Sequence, residues 1–241
     1  DNPNMLATLL KDAFERITGA RIYRNSMPRG TCLVHDIGKL AKGPLREIWD
    51  VGAHQGETAV RFRQAFPKAT IRSFEPIGTN FEELAKTSAS LNAHHSYRLA
   101  LGPRREKVKM QIRKASVLHS LNPELNKPES DDLGVEEAEV ETVDHLSARM
   151  EIDHIDLLKL DVEGYESQVI EGCRSTLEQG KISFIYLETG LDDRFVPLEA
   201  LVEQLAPFSI HPYAFYEQSA HWTGNQRLWY WNALFAKEDL L

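Results

Sequence analysis

The chain has 241 residues, which fits one α/β domain or at most two small ones, and its 42% of apolar residues is enough for a full core. Its 28 basic and 36 acidic residues give a net charge of −8, which argues against a nucleic-acid partner. There is no apolar run long enough for a membrane span and no signal-peptide pattern. Cys32 and Cys173 match no metal-binding spacing, so we expect a reduced, cytoplasmic protein.

The first regular pattern is an apolar stripe of helical period over residues 3–18. The stretch from Arg21 to Gly43 is less regular and contains a turn at Pro28-Arg29-Gly30. We expect residues 1–43 to form an N-terminal helical extension and residues 44–241 to form the main domain. The first helix could cover the sheet or serve as the surface of a homodimer.

From residue 46 onwards, strand and helix patterns alternate. The expected strands are Arg46–Val51, Thr70–Glu75, Ser96–Leu101, Lys107–Arg113, Glu137–Val143, Ile155–Asp161, Ser183–Glu188, Ser209–Phe215 and Leu228–Phe235. The expected helices are Glu57–Phe66, Thr79–Asn92 with Thr79 as its cap, Glu166–Glu178 and Leu198–Leu205, and residues 120–134 are expected to form a loop or flap. The alternation predicts a mostly parallel sheet with helices on both faces.

Four of the expected strands carry an acidic residue at or next to their carboxyl end, namely Asp50, Glu75, Asp161 and Glu188. The carboxyl ends of parallel strands meet at one edge of a sheet, and ligands of open α/β sheets bind there. The sequence therefore predicts four carboxylates along one ligand-binding edge.

The first of these acids opens the motif Asp50-x-Gly52-x-x-x-Gly56, which joins a strand to a helix. A dinucleotide-binding turn needs glycine where this chain has His54, so a nicotinamide-dependent oxidoreductase is a weak alternative. An acid before the turn suits a cationic group, and S-adenosylmethionine carries both a sulfonium and an ammonium group. The alternative is a tight turn that binds no ligand.

Two further motifs complete the pattern. Glu75, followed by Pro76, could accept both hydroxyls of a ribose, or it could stabilise a helix N-terminus. Asp161 and Glu163 leave their strand on a turn with Gly164, which suits acid–base work near a reacting hydroxyl. Glu163 could instead stabilise the next helix. Asp161, Glu163 and Glu188 could also bind a divalent cation, but strand-end acids occur without metal, so we assign no metal ligand.

The combination resembles the FkbM-type methyltransferase family. The resemblance rests on Trp49-Asp50-Val51-Gly52-Ala53, Phe74-Glu75-Pro76, Leu158 to Glu166 and Trp231-Asn232-Ala233-Leu234-Phe235. It implies a Rossmann-like class I fold with a seven-stranded sheet and S-adenosylmethionine as cofactor. Family members usually carry asparagine at the position of His54.

The resemblance also implies roles for single residues. Asp50, Gly52 and Gly56 would shape the methionine end of the cofactor site, Glu75 would bind the ribose, and Asp161 would lie near the methyl group. We add their neighbours to the predicted cofactor site: Ala53, His54, Thr58 and Pro76.

We expect an O-methyltransferase that acts on a hydroxyl of a sugar, glycan or secondary metabolite. The candidate bases are Asp161 and Glu163, followed by His119. A second alternative is a non-catalytic domain that binds S-adenosylmethionine without transferring its methyl group. No Asn-Pro-Pro-Tyr-like motif follows Asp161, which argues against methylation of nitrogen.

Overall fold

The computed structural model describes residues 3–21, 23, 27–113, 132–220 and 226–241. Its helices are α1 (Pro3–Thr18), α2 (Leu33–Leu40), α3 (Glu57–Ala65), α4 (Gly78–Ser90), α5 (Val143–Arg149), α6 (Glu166–Glu171), α7 (Arg174–Glu178) and α8 (Leu198–Leu205). Its strands are β1 (Glu47–Val51), β2 (Thr70–Phe74), β3 (His94–Tyr97), β4 (Ala100–Leu101), β5 (Glu106–Arg113), β6 (Asp132–Glu141), β7 (Ile155–Leu160), β8 (Ile182–Gly190), β9 (Ile210–Ala220) and β10 (Leu228–Lys237).

Seven strands form one sheet in the order β3-β2-β1-β7-β8-β10-β9. Neighbours from β3 to β8 are parallel, and β10 is antiparallel to both of its neighbours. The strand order reverses between β1 and β7, and in open α/β sheets a crevice forms at that point. This sheet confirms the predicted α/β class I fold.

Helices cover both faces of the main sheet. Successive residues of a strand point to opposite faces, so neighbouring residues of β1 pack in different cores. Ile48 of β1 packs in the core under α2 and α3, with Ile37 and Phe62. Trp49, the next residue, packs in the core on the other face, under α5 to α8. All five residues of β1 are buried, as expected for a central strand of a parallel sheet.

A second sheet of three strands, in the order β4-β6-β5, lies beside the carboxyl end of β2. Met110 and Ala138 of this sheet pack against Ile77, which directly precedes α4. The expected single strand Ser96–Leu101 is therefore wrong, since the chain changes from the main sheet to the second sheet between Tyr97 and Ala100.

Several other expectations need correction. The irregular stretch before Gly43 contains α2, whose Ile37 is buried in the core. The predicted strand Glu137–Val143 ends at Glu141, because Thr142 caps α5 by accepting a hydrogen bond from the His145 N–H at 3.0 Å.

Thr79 is not a cap, because α4 begins at Gly78, whose N–H donates to Glu136 of β6 at 3.0 Å. The predicted helix Glu166–Glu178 breaks at Gly172, where a Cβ atom would lie 2.1 Å from the Gly102 carbonyl oxygen. The expected flap over 120–134 lies mostly outside the described residues, but Asp132 to Gly134 belong to β6.

Among the described residues, no helix combines the length and the apolar character needed to cross a membrane.

Candidate active site

The turn after β1 is held by backbone contacts that require its two glycines. Gly52 has φ of +73°, and a Cβ atom there would lie 1.8 Å from the carbonyl oxygen of Asp161. The N–H groups of Gly52 and Ala53 both donate to the carbonyl oxygen of Phe74 at 3.0 Å. Gly56 starts α3 with φ of +96°. The turn therefore joins the ends of β1, β2 and β7 at one point.

Glu75 lies at the end of β2 and is only 5% exposed. Its carboxylate accepts hydrogen bonds from the backbone N–H groups of His54 and Ile77, both at 3.0 Å. Burial raises the pKa of Glu75 to about 7, although these backbone hydrogen bonds oppose the shift. The Asn80 side chain also hydrogen-bonds this carboxylate, which retains acceptor capacity for a ligand hydroxyl.

Asp50, predicted to shape the methionine end of the cofactor site, is paired within the protein and lines neither of the two cavities described below. Its side chain is fully buried and lies 2.8 Å from Nζ of Lys159. The same ammonium group lies 3.4 Å from Asp161 and donates to the Gly52 carbonyl oxygen at 3.1 Å. Burial lowers the pKa of Lys159, but Asp50 and Asp161 outweigh it and raise the pKa overall. The cation that Asp50 holds is thus supplied by the chain itself.

Lys159 was missed at the sequence level. Its signal is a single charged residue within the apolar strand Leu157-Leu158-Lys159-Leu160, where an unpaired lysine would be costly. Such a residue needs a buried partner, and the strand-end acid Asp50 is on the neighbouring strand.

The carboxyl groups near the turn after β7 differ in their exposure and in their pKa. The side chain of Asp161 is 46% exposed and pairs with Lys159. Glu163 has φ of +53°, and burial together with Asp161, Glu188 and Glu166 raises its pKa to about 9. Burial and the charge of Asp161 likewise raise the pKa of Glu188 to about 8. At neutral pH, Glu163 and Glu188 therefore hold protons.

Glu166 stabilises this turn through hydrogen bonds to its backbone. Its carboxylate accepts hydrogen bonds from the backbone N–H groups of Val162 at 3.2 Å and Gly164 at 3.3 Å. Its side chain is buried, and burial raises its pKa to about 7. Glu166 thus has a structural role at the start of α6.

Two cavities open at this edge of the sheet. The first has a volume of about 100 Å³ and lies between β1, β2, β7 and the second sheet. Its lining residues include Gly52, His54, Glu75, Pro76, Ile77, Asn80, Leu99, Met110, Asp161 and Glu163. The second has a volume of about 300 Å³, and its lining residues include Cys32, Leu33, Thr58, Arg61, Phe62, Lys159, Asp161, Tyr186, Tyr216, Glu217 and Asn232. Asp161 is the one residue that lines both cavities in the part of the chain that the structure describes.

The structure brings some of the predicted site residues together in the first cavity and places others elsewhere. The first cavity is lined by Glu75, predicted to bind the ribose, by Asp161, predicted to lie near the methyl group, and by Gly52, His54 and Pro76. Thr58 lines the second cavity instead, and Ala53 is buried in the turn. His119 lies outside the described residues. Within the described ranges, no group of three or more His, Cys, Asp and Glu side chains is placed to hold a metal ion.

Comparison with known proteins identifies one family. A sequence profile described as the methyltransferase FkbM domain matches residues 50–207. This match confirms the predicted family and, with it, S-adenosylmethionine as the cofactor.

The individual proteins that match this chain share little sequence identity with it. The chain is 26% identical over 198 residues to the 2-O-methyltransferase NoeI of Sinorhizobium fredii (strain NBRC 101917 / NGR234), covering 76% of this chain and 81% of that protein. The structure of M. capricolum TrmK with S-adenosyl-homocysteine has 12% identity and a TM-score of 0.46, covering 84% of this chain and 67% of that one. The precorrin-6y C5,15-methyltransferase of Geobacter metallireducens GS-15 has 12% identity and a TM-score of 0.42, covering 83% and 84%.

Proposed function

This chain belongs to the FkbM methyltransferase family, and we propose that it methylates a hydroxyl group of a sugar, glycan or secondary metabolite. The observation that carries the proposal is the position of Asp161, which lines both the cavity beside Glu75 and the second cavity. A methyl transfer needs a cofactor and an acceptor to meet at one point. The name of the NoeI relative, a 2-O-methyltransferase, supports a hydroxyl oxygen as the acceptor atom.

The first cavity suits the cofactor. Glu75 would accept the ribose hydroxyls, since both of its oxygens are fixed by backbone N–H groups. Ile77 and Leu99 supply apolar walls for the adenine, and Asn80 supplies a polar group beside them. When bound, S-adenosylmethionine supplies a methyl group on a positively charged sulfur; transfer breaks the C–S bond, forms a C–O bond and leaves the hydroxyl proton to be removed.

Asp161 is the base that we assign to this proton. Its carboxylate is half-exposed, lies 3.4 Å from the ammonium group of Lys159 and lines both cavities, so a reacting hydroxyl can reach it. Glu163 is the weaker candidate, because its raised pKa keeps it protonated at neutral pH. General-base catalysis of this kind contributes about 10²- to 10⁴-fold in rate.

The test is product analysis by mass spectrometry after incubation with labelled S-adenosylmethionine and a panel of hydroxylated acceptors: methyl glycosides, oligosaccharides and phenols. We expect one defined hydroxyl to gain the label. Wild-type protein that binds the cofactor but labels no acceptor would instead indicate a non-catalytic domain.

Replacement of the base makes the first prediction. We expect Asp161→Asn to lower kcat at least about 100-fold, because a neutral amide cannot accept the proton. Cofactor affinity, measured by titration calorimetry, should change little in comparison. Glu203→Gln, on the exposed surface of α8, is the matched control and should leave both unchanged. Full turnover by Asp161→Asn would contradict the assignment.

A further inference from the structure

The second cavity lies across Asp161 from the cofactor cavity, and its walls come from segments far apart in the chain. Its lining includes Cys32 and Leu33 at the start of α2, Thr58 and Arg61 of α3, and residues of the main sheet. Most of the polar side chains on the sheet side belong to β8, β9 and β10: Tyr186, Tyr216, Glu217 and Asn232. The last three lie beyond residue 207, where the family match ends.

Glu217 is placed in this cavity by an irregularity of β9. Between Tyr216 and Ser219, the pairing of β9 with β10 shifts by one residue, which is a β-bulge. Glu217 lies in this bulge with φ of +50°, a conformation that glutamate rarely adopts. Bulges commonly redirect a side chain next to a functional site, and backbone strain of this kind is found at ligand-binding positions.

The carboxylate of Glu217 is held by three elements. Its Oε2 atom accepts hydrogen bonds from Asn232 Nδ2 at 2.8 Å and from the Tyr186 hydroxyl at 3.2 Å. Its Oε1 atom lies 3.6 Å from the guanidinium of Arg61. Burial and the charge of Glu217 raise the pKa of Tyr186, which therefore keeps its proton and stays a donor. The side chain of Glu217 is 55% exposed, so its carboxylate is oriented by Asn232 and Tyr186 and remains accessible to a ligand.

The chemistry of this group suits a polyhydroxylated ring. A carboxylate with fixed oxygens accepts hydrogen bonds from neighbouring hydroxyls, while Arg61 and Asn232 offer donors to ring and hydroxyl oxygens. Phe62 and Leu33 add apolar wall for the carbon face of such a ring. A purely apolar acceptor would leave these polar groups unpaired, which is unfavourable.

We propose that the second cavity is the acceptor site, and that Glu217, held by Tyr186 and Asn232, binds hydroxyl groups of a sugar-like acceptor whose reacting hydroxyl lies at Asp161. The inference rests on the proposed O-methyl transfer and adds the location and chemical class of the acceptor.

The first experiment uses steady-state kinetics with the methyl glycoside or oligosaccharide that wild-type protein labels best. We expect Glu217→Gln to raise the acceptor KM at least about tenfold, because a carboxylate–hydroxyl contact is lost, while the Kd of S-adenosylmethionine changes less than about twofold. Tyr186→Phe should raise the acceptor KM by a smaller factor. Glu203→Gln is the control for charge removal alone, and thermal melting verifies that each variant folds.

The second experiment uses Cys32 as a reporter, since it lines the cavity and Cys173 is fully buried. The rate of alkylation of Cys32 by N-ethylmaleimide is measured by peptide mass spectrometry. We expect S-adenosyl-homocysteine alone to leave the rate unchanged, and the acceptor glycoside together with S-adenosyl-homocysteine to slow it.

The outcomes distinguish failure of the proposed sugar acceptor from failure of the assignment of the second cavity. If wild-type protein labels no glycoside or oligosaccharide, a sugar acceptor is wrong and this assignment falls with it. If wild-type protein labels one but Glu217→Gln keeps its acceptor KM, only the assignment of the cavity is wrong. Loss of cofactor affinity in Glu217→Gln, or protection of Cys32 by S-adenosyl-homocysteine alone, would show that the cavity holds the methionine end of the cofactor and would overturn the inference.

Discussion

Glu163 keeps a proton at neutral pH because burial and three neighbouring carboxylates disfavour its charge. This protonated state links the site to the stability of the protein. In the unfolded chain the carboxyl loses its proton near the ordinary glutamate pKa of 4.5, whereas in the folded chain it does so at a pKa of about 9. Between these values the folded state binds more protons than the unfolded state, so the free energy of unfolding falls as pH rises.

We therefore expect wild-type protein to lose stability from pH 5 to pH 8 with a slope of up to about 1.4 kcal/mol per pH unit for this group. Glu163→Gln removes the titration and should flatten the profile measured by urea denaturation. It should also make the variant more stable than wild-type protein at pH 8. The control is Glu199→Gln on α8. Parallel profiles for wild-type and Glu163→Gln protein would show that Glu163 is ionised in the folded state.

At the scale of elements, the turn after β1 depends on the distance between β1 and β7. Gly52 leaves no room for a side chain, because the Asp161 carbonyl oxygen occupies the position of a Cβ atom. The backbone of β7 must move if Gly52 is replaced, and Asp161 moves with it.

We expect Gly52→Ala to destabilise the protein by at least about 2 kcal/mol, through the clash and the positive φ together, and to weaken cofactor binding. The matched control is Gly38→Ala in α2, where nothing lies within 4 Å of the added methyl group. Alanine favours helix by up to about 1 kcal/mol, so this control should be neutral or stabilising. Urea denaturation and titration calorimetry measure both effects, and equal stability of the two variants would contradict the argument.

The elements that sequence patterns predicted correctly are those whose signal is local. An apolar run that ends in an acid located β1, β2 and β7 and placed Glu75 and Asp161 at the correct edge of the sheet. The features that were missed depend on contacts between distant residues. Lys159 is explained only by Asp50 on the neighbouring strand, and Glu217 only by the pairing of β9 with β10.

At the scale of the whole molecule, the N-terminal 40 residues divide into two parts of different character. Apolar side chains of α1 are largely exposed, with Leu10 at 63% and Ile17 at 84%. In contrast, α2 contributes the fully buried Ile37 and the buried Asp36, which accepts hydrogen bonds from Gly30 N–H and the Tyr216 hydroxyl, both at 2.8 Å.

Two deletions should separate these parts. Removal of residues 1–21 should shift Tm by less than about 2 °C, since little apolar surface is lost from the core. Removal of residues 1–43 should lower Tm by at least about 5 °C, because α2 and its buried contacts are lost. Scanning calorimetry measures both, and a large loss on removal of residues 1–21 would show that α1 packs on the domain in solution.

The two cavities also differ in where their walls lie along the chain. Among the described residues, all that line the first cavity lie within residues 51–163, whereas most of those that line the second belong to residues 31–34 and to β8 to β10. The remaining lining residues of the second cavity, from Thr58 to Asp161, come from the same stretch as the first cavity, and Asp161 belongs to both. Under the proposed assignment of the second cavity to the acceptor, changes in residues 31–34, β9 and β10 would alter acceptor selectivity and leave the proposed cofactor cavity intact. Exchanging these terminal segments between two relatives is accordingly the natural route to a chimera with altered selectivity.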